Sequence, residues 1–152
     1  MHDAMKIKVE TKLQSLASVC RAQGLALTVQ RRVILENLAG RTDHPTADQI
    51  YSAIKDRLPG ISRTTVYRVL EAFVDLGIIQ RISNPGATAR FDADTKRHHH
   101  LVCQKCQKVS DLMSSALNNL PIPSADEAAF HITDYSITFT GTCLDCHAGL
   151  SA

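Results

Sequence analysis

The chain has 152 residues, 44% of them hydrophobic, and a formal net charge of +2. This length allows one large domain or two small ones with hydrophobic cores, and the small net charge does not by itself indicate a partner. No apolar run approaches the length of about 18 residues that a membrane span needs, and no signal-peptide pattern is present, so we expect a cytoplasmic protein without a membrane partner.

The charge is distributed unevenly between the two halves. Residues 1–91 hold 13 Lys and Arg against 8 Asp and Glu, a net of +5, whereas residues 92–152 hold 4 against 7, a net of −3. A basic half favours a polyanion and an acidic half favours cations. We therefore expect residues 1–91 to form the domain that binds a polyanion and residues 92–152 to form a domain for metal binding and self-association.

Four amphipathic segments predict four helices in the first half. Thr28, Thr46 and Ser62 are good N-cap residues, and Gln49 completes a capping box with Thr46. Apolar residues at helical spacing follow, and glycines or a Pro-Gly pair end the segments. Cys20 lies on the apolar face of the first segment and is expected to be a small buried hydrophobe. The predicted helices span residues 6–22, 29–38, 47–58 and 63–76.

The outer face of the fourth helix mixes cations, hydroxyls and an aromatic ring. The helix follows another helix after a short turn, the order of a helix-turn-helix, whose second helix enters the DNA major groove. The alternative is an ordinary solvated face. The candidate DNA contacts are Arg63, Thr64, Thr65, Tyr67 and Arg68.

A short hairpin is predicted directly after this helix. Residues 78–83 have a strand pattern, residues 84–87 a turn pattern, and residues 88–91 return as a strand. A hairpin in this position is the wing of a winged helix. Arg81 and Arg90 are then candidates for phosphate contacts, which set position rather than sequence.

Residues 98–106 carry three imidazoles and two thiols. If this segment is extended, His98 and His100 point to one face and His99 to the other, because side chains alternate along a strand. Two imidazoles on one face make half of a nitrogen and oxygen metal site.

Two pairs of cysteines share a two-residue gap: Cys103 with Cys106, and Cys143 with Cys146. Four thiolates form the closed tetrahedral set of a structural zinc site. Two disulfides, four unrelated thiols, a rubredoxin-like iron centre and an iron–sulfur cluster are the alternatives, and spacing alone does not choose the metal. Disulfides are disfavoured because nothing in the chain indicates export.

The second half is predicted to be a small α/β unit. Strands are expected at residues 98–103, 109–112 and 132–142, and short helices at 114–120 and 124–129. Such short strands bury too little apolar surface to fold alone, so the unit needs its zinc. The fold class is α+β, an N-terminal winged helix-turn-helix followed by a zinc-containing α/β dimerisation domain.

Six segments are specific enough in combination to indicate a family: residues 44–51, 62–68, 90–92, 98–106, 108–111 and 141–146. Together they resemble the ferric uptake regulator superfamily over nearly the whole chain, and most of all its peroxide-sensing branch. The resemblance implies a homodimeric, metal-responsive repressor that binds a pseudo-palindromic double-stranded DNA operator and has no small organic substrate.

The resemblance also implies the metal ligands. The structural zinc falls on the four cysteines named above. A regulatory Fe2+ or Mn2+ ion, exchangeable because its ligands are harder, would link the two halves of the chain, and peroxide would oxidise one of its histidines. The regulatory ligands carry over to His44, Asp92, His98, His100 and Asp111.

Aspartate at both acidic positions favours the peroxide-sensing branch, with an iron-responsive repressor of metal uptake as the alternative. The chain departs from the family pattern at Arg97 and His99, which replace a histidine and an acid of an additional site, and at prolines 121 and 123, which interrupt a usually longer helix. We expect His99, His131 and His147 to be surface histidines.

Three other classes are open on the residues alone. An enzyme is disfavoured, because no HExxH or zinc-deaminase motif and no nucleophile beside a base is present. A zinc-stabilised interaction module would leave the fourth helix merely solvated. An electron carrier would hold iron in the four-cysteine site.

Overall fold

The computed structural model describes residues 2–83 and 87–149. The chain forms two compact units, Met1–Thr95 and Lys96–Ala152. Helices dominate the first unit and a three-stranded sheet the second, which confirms the α+β class. Among the described residues, no helix combines the length and apolar character needed to cross a membrane.

The first unit is a four-helix array followed by a hairpin. In the hairpin, Gln80 pairs with Asp92 and Ile82 with Arg90 in antiparallel register. The four predicted helices and the wing strands are therefore confirmed, whereas residues 84–86 of the predicted turn lie outside the described residues. The elements are α1 (His2–Ala22), α2 (Val29–Ala39), α3 (Ala47–Ile54), α4 (Arg63–Asp75), β1 (Gln80–Ile82) and β2 (Arg90–Asp92).

The predicted caps form and the predicted apolar faces are buried. The side chains of Thr28, Thr46 and Ser62 each accept a hydrogen bond from the backbone N–H three residues later, and Gln49 closes the capping box. Cys20 is buried, as expected for a small hydrophobe. Because the caps fix where each helix begins, they also fix which residues face the core. Side chains with no exposed surface in this core are Leu16, Ile34, Leu35, Ile50, Ile54, Val66, Leu70, Phe73 and Phe91.

Helix α3 is shorter than the sequence predicts. It ends at Ile54 rather than at residue 58, and in the turn that follows Ile54 O accepts hydrogen bonds from both Arg57 N and Leu58 N, at 2.9 and 3.0 Å. The bond from Arg57 N tightens the last turn into 3₁₀ geometry. Leu58 nevertheless packs against the core, so the apolar pattern continues after the helix has stopped.

The second unit is built around one central strand. Strand β3 pairs antiparallel with β4, with His100 opposite Asp111, and parallel with β5, with His100 opposite Thr138. The side chains on β3 therefore meet residues from both neighbouring strands. The elements are β3 (His99–Cys103), β4 (Val109–Leu112), α5 (Ser115–Asn118), a 3₁₀ turn (Asp126–Ala128), β5 (Thr138–Gly141) and α6 (Leu144–Ala148).

The predicted strand over 132–142 is wrong for its first half. Asp134 Oδ1 accepts a hydrogen bond from Tyr135 N at 2.8 Å, and the Tyr135 hydroxyl accepts one from Leu120 N at 3.0 Å. These side-chain bonds to the backbone compete with strand pairing. The strand therefore begins at Thr138, and the two helices predicted before it shrink to α5 and one 3₁₀ turn.

We predict that Ser62→Ala lowers the free energy of unfolding of the winged-helix unit by about 1 kcal/mol, because the cap of α4 is lost. Ser15→Ala, at an exposed site in the middle of α1, is the control and should change stability far less. Urea unfolding followed by circular dichroism measures both. Equal effects from the two substitutions would contradict a capping role for Ser62.

Candidate metal centres and nucleic-acid interface

Two segments of the second unit, one at the end of β3 and one at the start of α6, form the four-cysteine cluster. Cys103 ends β3 and Cys106 follows in a tight turn, while Cys143 caps α6 and Cys146 lies within it. Gln104 N donates to Gly141 O at 2.8 Å, which ties the two segments together. The four sulfurs lie within 4.8 Å of one another, with Cys106 and Cys143 Sγ atoms 3.7 Å apart.

This geometry fits a tetrahedral zinc ion. With Zn–S bonds of about 2.3 Å, the sulfurs of a tetrahedron lie about 3.8 Å apart. All five cysteines lie in the described part of the chain, and none forms a disulfide. The donor set is therefore a closed one for a soft ion, with no position left for a substrate.

The surroundings of the thiols already favour one thiolate. Backbone N–H groups, that of Cys106 first and that of Cys143 second, lower the pKa of Cys103 to about 6. Hydrogen bonds among the sulfurs, with Cys143 first, raise the pKa of Cys146 to about 12. Metal binding requires deprotonated thiols, so an entering ion must displace protons from this cluster.

A second donor set lies near the start of β3. The Nε2 atoms of His98 and His100 are 3.1 Å apart, and Asp111 Oδ1 lies 3.2 Å from His98 Nε2 and 4.0 Å from His100 Nε2. Both imidazoles are buried. The predicted alternation, with these two histidines on one face, is confirmed. Ligands at about 2.1 Å from an octahedral ion are about 3 Å apart, so these three atoms fit one divalent cation.

The backbone prepares His98 to act as a ligand. Its Nδ1 lies 2.7 Å from Lys96 O. Because a carbonyl oxygen can only accept, Nδ1 donates this hydrogen bond, and Nε2 is the ring nitrogen that faces Asp111 and His100. A hydrogen bond of this kind commonly orients a metal-binding histidine.

In the first unit, His44 and Asp92 form a separate buried pair. His44 Nε2 lies 3.4 Å from Asp92 Oδ2, and both side chains are less than a tenth exposed. His44 has a φ of 49°, an uncommon conformation for a non-glycine residue. Arg90 Nη1 donates to His44 O at 2.9 Å, and Phe91 N donates to Pro45 O at 3.0 Å. These bonds hold the residues before α3 against β2, which places His44 beside the end of that strand.

Each donor set thus combines imidazole with carboxylate, a harder combination than four thiolates. Such ligands suit Fe2+ or Mn2+ better than a soft ion.

The expectation that His99 is a surface histidine is wrong. Its side chain has no exposed surface, because the face of β3 opposite the ligands is covered by the segment that leads into β5. Ile137 N donates to His99 Nδ1 at 3.2 Å. His131 and His147 are exposed, as expected.

The predicted recognition helix borders a groove of about 630 Å3 between α3, α4 and the wing. Arg63 lies at one side of it, with its Nε 2.8 Å from Asp48 Oδ1 and its guanidinium carbon 4.5 Å from the centre of the Tyr51 ring. Thr64 and Tyr67 also line the groove. The groove thus offers a fixed cation, a hydroxyl and an aromatic ring.

The wing is linked to the recognition helix by a polar contact. Arg81 Nη1 lies 3.2 Å from Glu71 Oε2, and Arg81 Nη2 lies 3.4 Å from the Tyr67 hydroxyl. Arg81 is therefore held at the groove by two residues of α4. Residue spacing carries no signal for this contact, because the contact joins residues on different elements.

The other candidate DNA contacts differ in their surroundings. Arg68 is exposed on α4. Thr65 is half-buried and its hydroxyl lies 2.9 Å from Ser62 Oγ, so it takes part in the helix cap. Arg90 is half-buried by its bond to His44 O. DNA contact by any of these residues stays a prediction.

The protein-family model of the Ferric uptake regulator family matches residues 22–140. The peroxide-responsive repressor PerR of Staphylococcus aureus is 34% identical over 143 residues, which cover 91% of this chain and 93% of that protein. The two proteins therefore align over most of their lengths.

Solved structures agree on the fold. The ferric uptake regulator Fur of Helicobacter pylori superposes with a TM-score of 0.76 at 19% identity and covers 91% of this chain and 93% of its own. The ferric uptake regulator of Pseudomonas aeruginosa, solved with manganese, superposes with a TM-score of 0.65 at 27% identity. The match covers 84% of this chain and 97% of that one.

We predict that Cys143→Ser abolishes zinc retention and unfolds the second unit, because zinc binding contributes about 10 kcal/mol to folds of this kind. Cys20→Ala is the matched control and should retain zinc, since Cys20 lies in the core of the first unit. Elemental analysis and circular dichroism after gel filtration report zinc and folding. A Cys143→Ser protein that keeps its zinc and its sheet would contradict the assignment.

Proposed function

The chain belongs to the ferric uptake regulator family of metal-responsive transcriptional regulators, and we propose that it is a repressor that senses peroxide through an exchangeable Fe2+ or Mn2+ ion. Members of this family are DNA-binding, dimer-forming regulators rather than enzymes. As part of the proposal, the target is a pseudo-palindromic operator in double-stranded DNA, and no small organic substrate is involved.

The observation that carries the proposal is the convergence of His98, His100 and Asp111 on one point in the second unit. Three donors leave coordination positions open on a divalent ion that prefers six ligands. We propose that His44 and Asp92 of the first unit complete the set. Both are buried, and they again pair one imidazole with one carboxylate.

An ion that needs ligands from both units couples them. It favours the arrangement that offers all five donors, by the difference between its affinities for the two arrangements. Shifting a mixture from 1:99 to 99:1 needs about 5.5 kcal/mol of such preference. In the favoured arrangement, the two recognition helices of a dimer would enter successive major grooves.

The zinc of the four-cysteine cluster has a different role in this proposal. Four thiolates leave the ion no open position, so the site stabilises the fold and does not exchange on the timescale of regulation. The sensing ion is then the one held by imidazoles and carboxylates.

Peroxide sensing is supported by the two aspartates, Asp92 and Asp111, and by the similarity to a peroxide-responsive repressor. A bound Fe2+ would supply the redox chemistry that lets hydrogen peroxide transfer one oxygen atom and leave as water. His44 and His100, both buried beside a carboxylate, are the proposed acceptors of one oxygen atom. An oxidised imidazole would be a poorer ligand, so the protein would lose the ion and, with it, its affinity for the operator.

We predict that Mn2+ promotes operator binding and that this binding weakens steeply with salt, because phosphate contacts release counterions. Fluorescence anisotropy with duplexes selected from a random pool measures both effects. Arg68→Ala should reduce the slope of log affinity against log salt concentration by about 1, since one phosphate contact is lost. The control Arg57→Ala removes an exposed arginine that pairs with Glu36, away from the groove, and should leave the slope unchanged.

Metal-independent binding with an unchanged slope in Arg68→Ala would contradict this part of the proposal. Absence of salt-sensitive DNA binding, with or without Mn2+, would favour a zinc-stabilised interaction module whose α4 face is merely solvated.

We predict that peroxide adds the mass of one oxygen atom to His44 or His100 in the Fe2+-loaded protein and abolishes operator binding. With Mn2+ in its place, both histidines should stay unmodified and binding should persist. Peptide mass spectrometry locates the adduct, and the exposed His131 and His147 serve as internal controls for indiscriminate oxidation.

Iron-dependent operator binding without an adduct on either ligand histidine would instead identify an iron-responsive repressor. An adduct spread equally over the control histidines would likewise contradict site-specific sensing.

A further inference from the structure

The segment that carries the ligand histidines has a second face with its own contacts. His98 and His100 face Asp111, whereas Arg97 and His99 contact the segment that leads into β5. Because successive residues of an extended segment point to opposite sides, any twist imposed on one face is transmitted to the other.

The ring of Tyr135 lies close to both side chains of this second face. Its ring is 6.2 Å from the His99 ring, with an interplanar angle of 14°, and the Arg97 guanidinium carbon is 4.8 Å from its centre. The Tyr135 hydroxyl donates to Leu117 O at 2.5 Å and accepts from Leu120 N at 3.0 Å. These two hydrogen bonds of the hydroxyl fix the Tyr135 ring independently of its contacts with His99 and Arg97.

The guanidinium of Arg97 is held in place by polar partners as well as by the ring. Its Nη2 lies 2.6 Å from Asp134 Oδ1, and its Nη1 donates to Asn118 O at 3.3 Å. The pKa of Asp134 is lowered, first by the Tyr135 N–H and also by Arg97, in keeping with a carboxylate held in its charged form. An exposed ion pair alone contributes little to stability. In this pair, however, the Arg97 guanidinium is also held by the Tyr135 ring and by Asn118 O.

His99 and His100 bind the same residue from consecutive positions. Ile137 N donates to His99 Nδ1 at 3.2 Å, and His100 N donates to Ile137 O at 3.0 Å. Two bonds in opposite directions fix Ile137 against the ligand segment. His99 Nε2 is buried, and no hydrogen-bond partner for it occurs among the described residues, so the ring contributes through stacking and Nδ1.

We propose that Arg97, His99 and Tyr135 are positioning residues, which hold the strand of His98 and His100 in the orientation that binds the regulatory cation. This inference rests on the proposed function, because it concerns the same ion. The three side chains do not contact the donor atoms. They act by fixing the opposite face of the segment, and a fixed segment presents its two imidazoles without reorganisation when the ion arrives.

Two substitutions test the proposal in the full-length, zinc-loaded protein. Arg97→Gln removes the charge over the ring and the bond to Asp134, and Tyr135→Leu removes the ring and the hydroxyl bonds. We expect each to weaken Mn2+ binding by about ten- to a hundredfold, the usual loss when support of a metal-binding histidine is removed. Electron paramagnetic resonance of free Mn2+ measures the affinity, and the signal of bound Mn2+ reports its geometry.

The control is Arg57→Gln, which removes another exposed guanidinium paired with a carboxylate, Glu36, in the first unit. It should bind Mn2+ as the unaltered chain does. Zinc content and the melting temperature without Mn2+ show whether each variant folds. If Tyr135→Leu loses its zinc, Arg97→Gln, at a partly exposed site, decides the question.

A folded Arg97→Gln protein whose Mn2+ affinity stays within twofold of the unaltered chain would overturn the proposal. Failure of the proposed function looks different: the unaltered chain would then bind no exchangeable Mn2+, or His100→Ala would bind it equally well. If the unaltered chain binds Mn2+ and His100→Ala does not, the site stands and Arg97→Gln tests the positioning role alone.

Discussion

The alternation of side chains along the segment from Arg97 to Cys103 is the constraint on which both metal chemistries depend. One face carries His98 and His100, the other carries His99, and the strand ends at the first zinc-binding thiol. Because β3 is the central strand, hydrogen-bonded to β4 and β5, its faces cannot rotate independently. A one-residue shift in register would exchange the ligand face for the packed face.

The two donor sets differ in softness, and this difference separates their roles. Four sulfurs within 4.8 Å of one another suit a zinc ion that stabilises a small sheet with little apolar surface of its own. Imidazoles with carboxylates suit a harder ion that exchanges. One short strand can therefore contribute to a permanent site and to a sensing site, provided that its ligands for each are chemically distinct.

Local patterns were sufficient to predict much of the fold. The caps at Thr28, Thr46 and Ser62 located the helices of the first unit, and the two-residue gaps located the four thiols. The placement of His98 and His100 on one face followed from the strand period alone. These features depend on neighbours in the sequence, which is why periodicity and spacing revealed them.

The remaining features depend on contacts between distant residues. The burial of His99 and the late start of β5 both result from Tyr135, whose hydroxyl partners are backbone groups of Leu117 and Leu120. Likewise, the φ of 49° at His44 is held by Arg90, far along the chain. No local pattern encodes such pairings, so His44, Asp92 and Asp111 were predicted as ligands through the family resemblance and not from spacing.

Anomalous diffraction from crystals grown with Mn2+, recorded at the manganese and zinc absorption edges, would locate both ions in one experiment. We expect a zinc peak surrounded by the four cysteine sulfurs and a separate manganese peak bonded to His44, Asp92, His98, His100 and Asp111. A manganese peak that lacks His98 and His100, or none at all under conditions that support DNA binding, would contradict it.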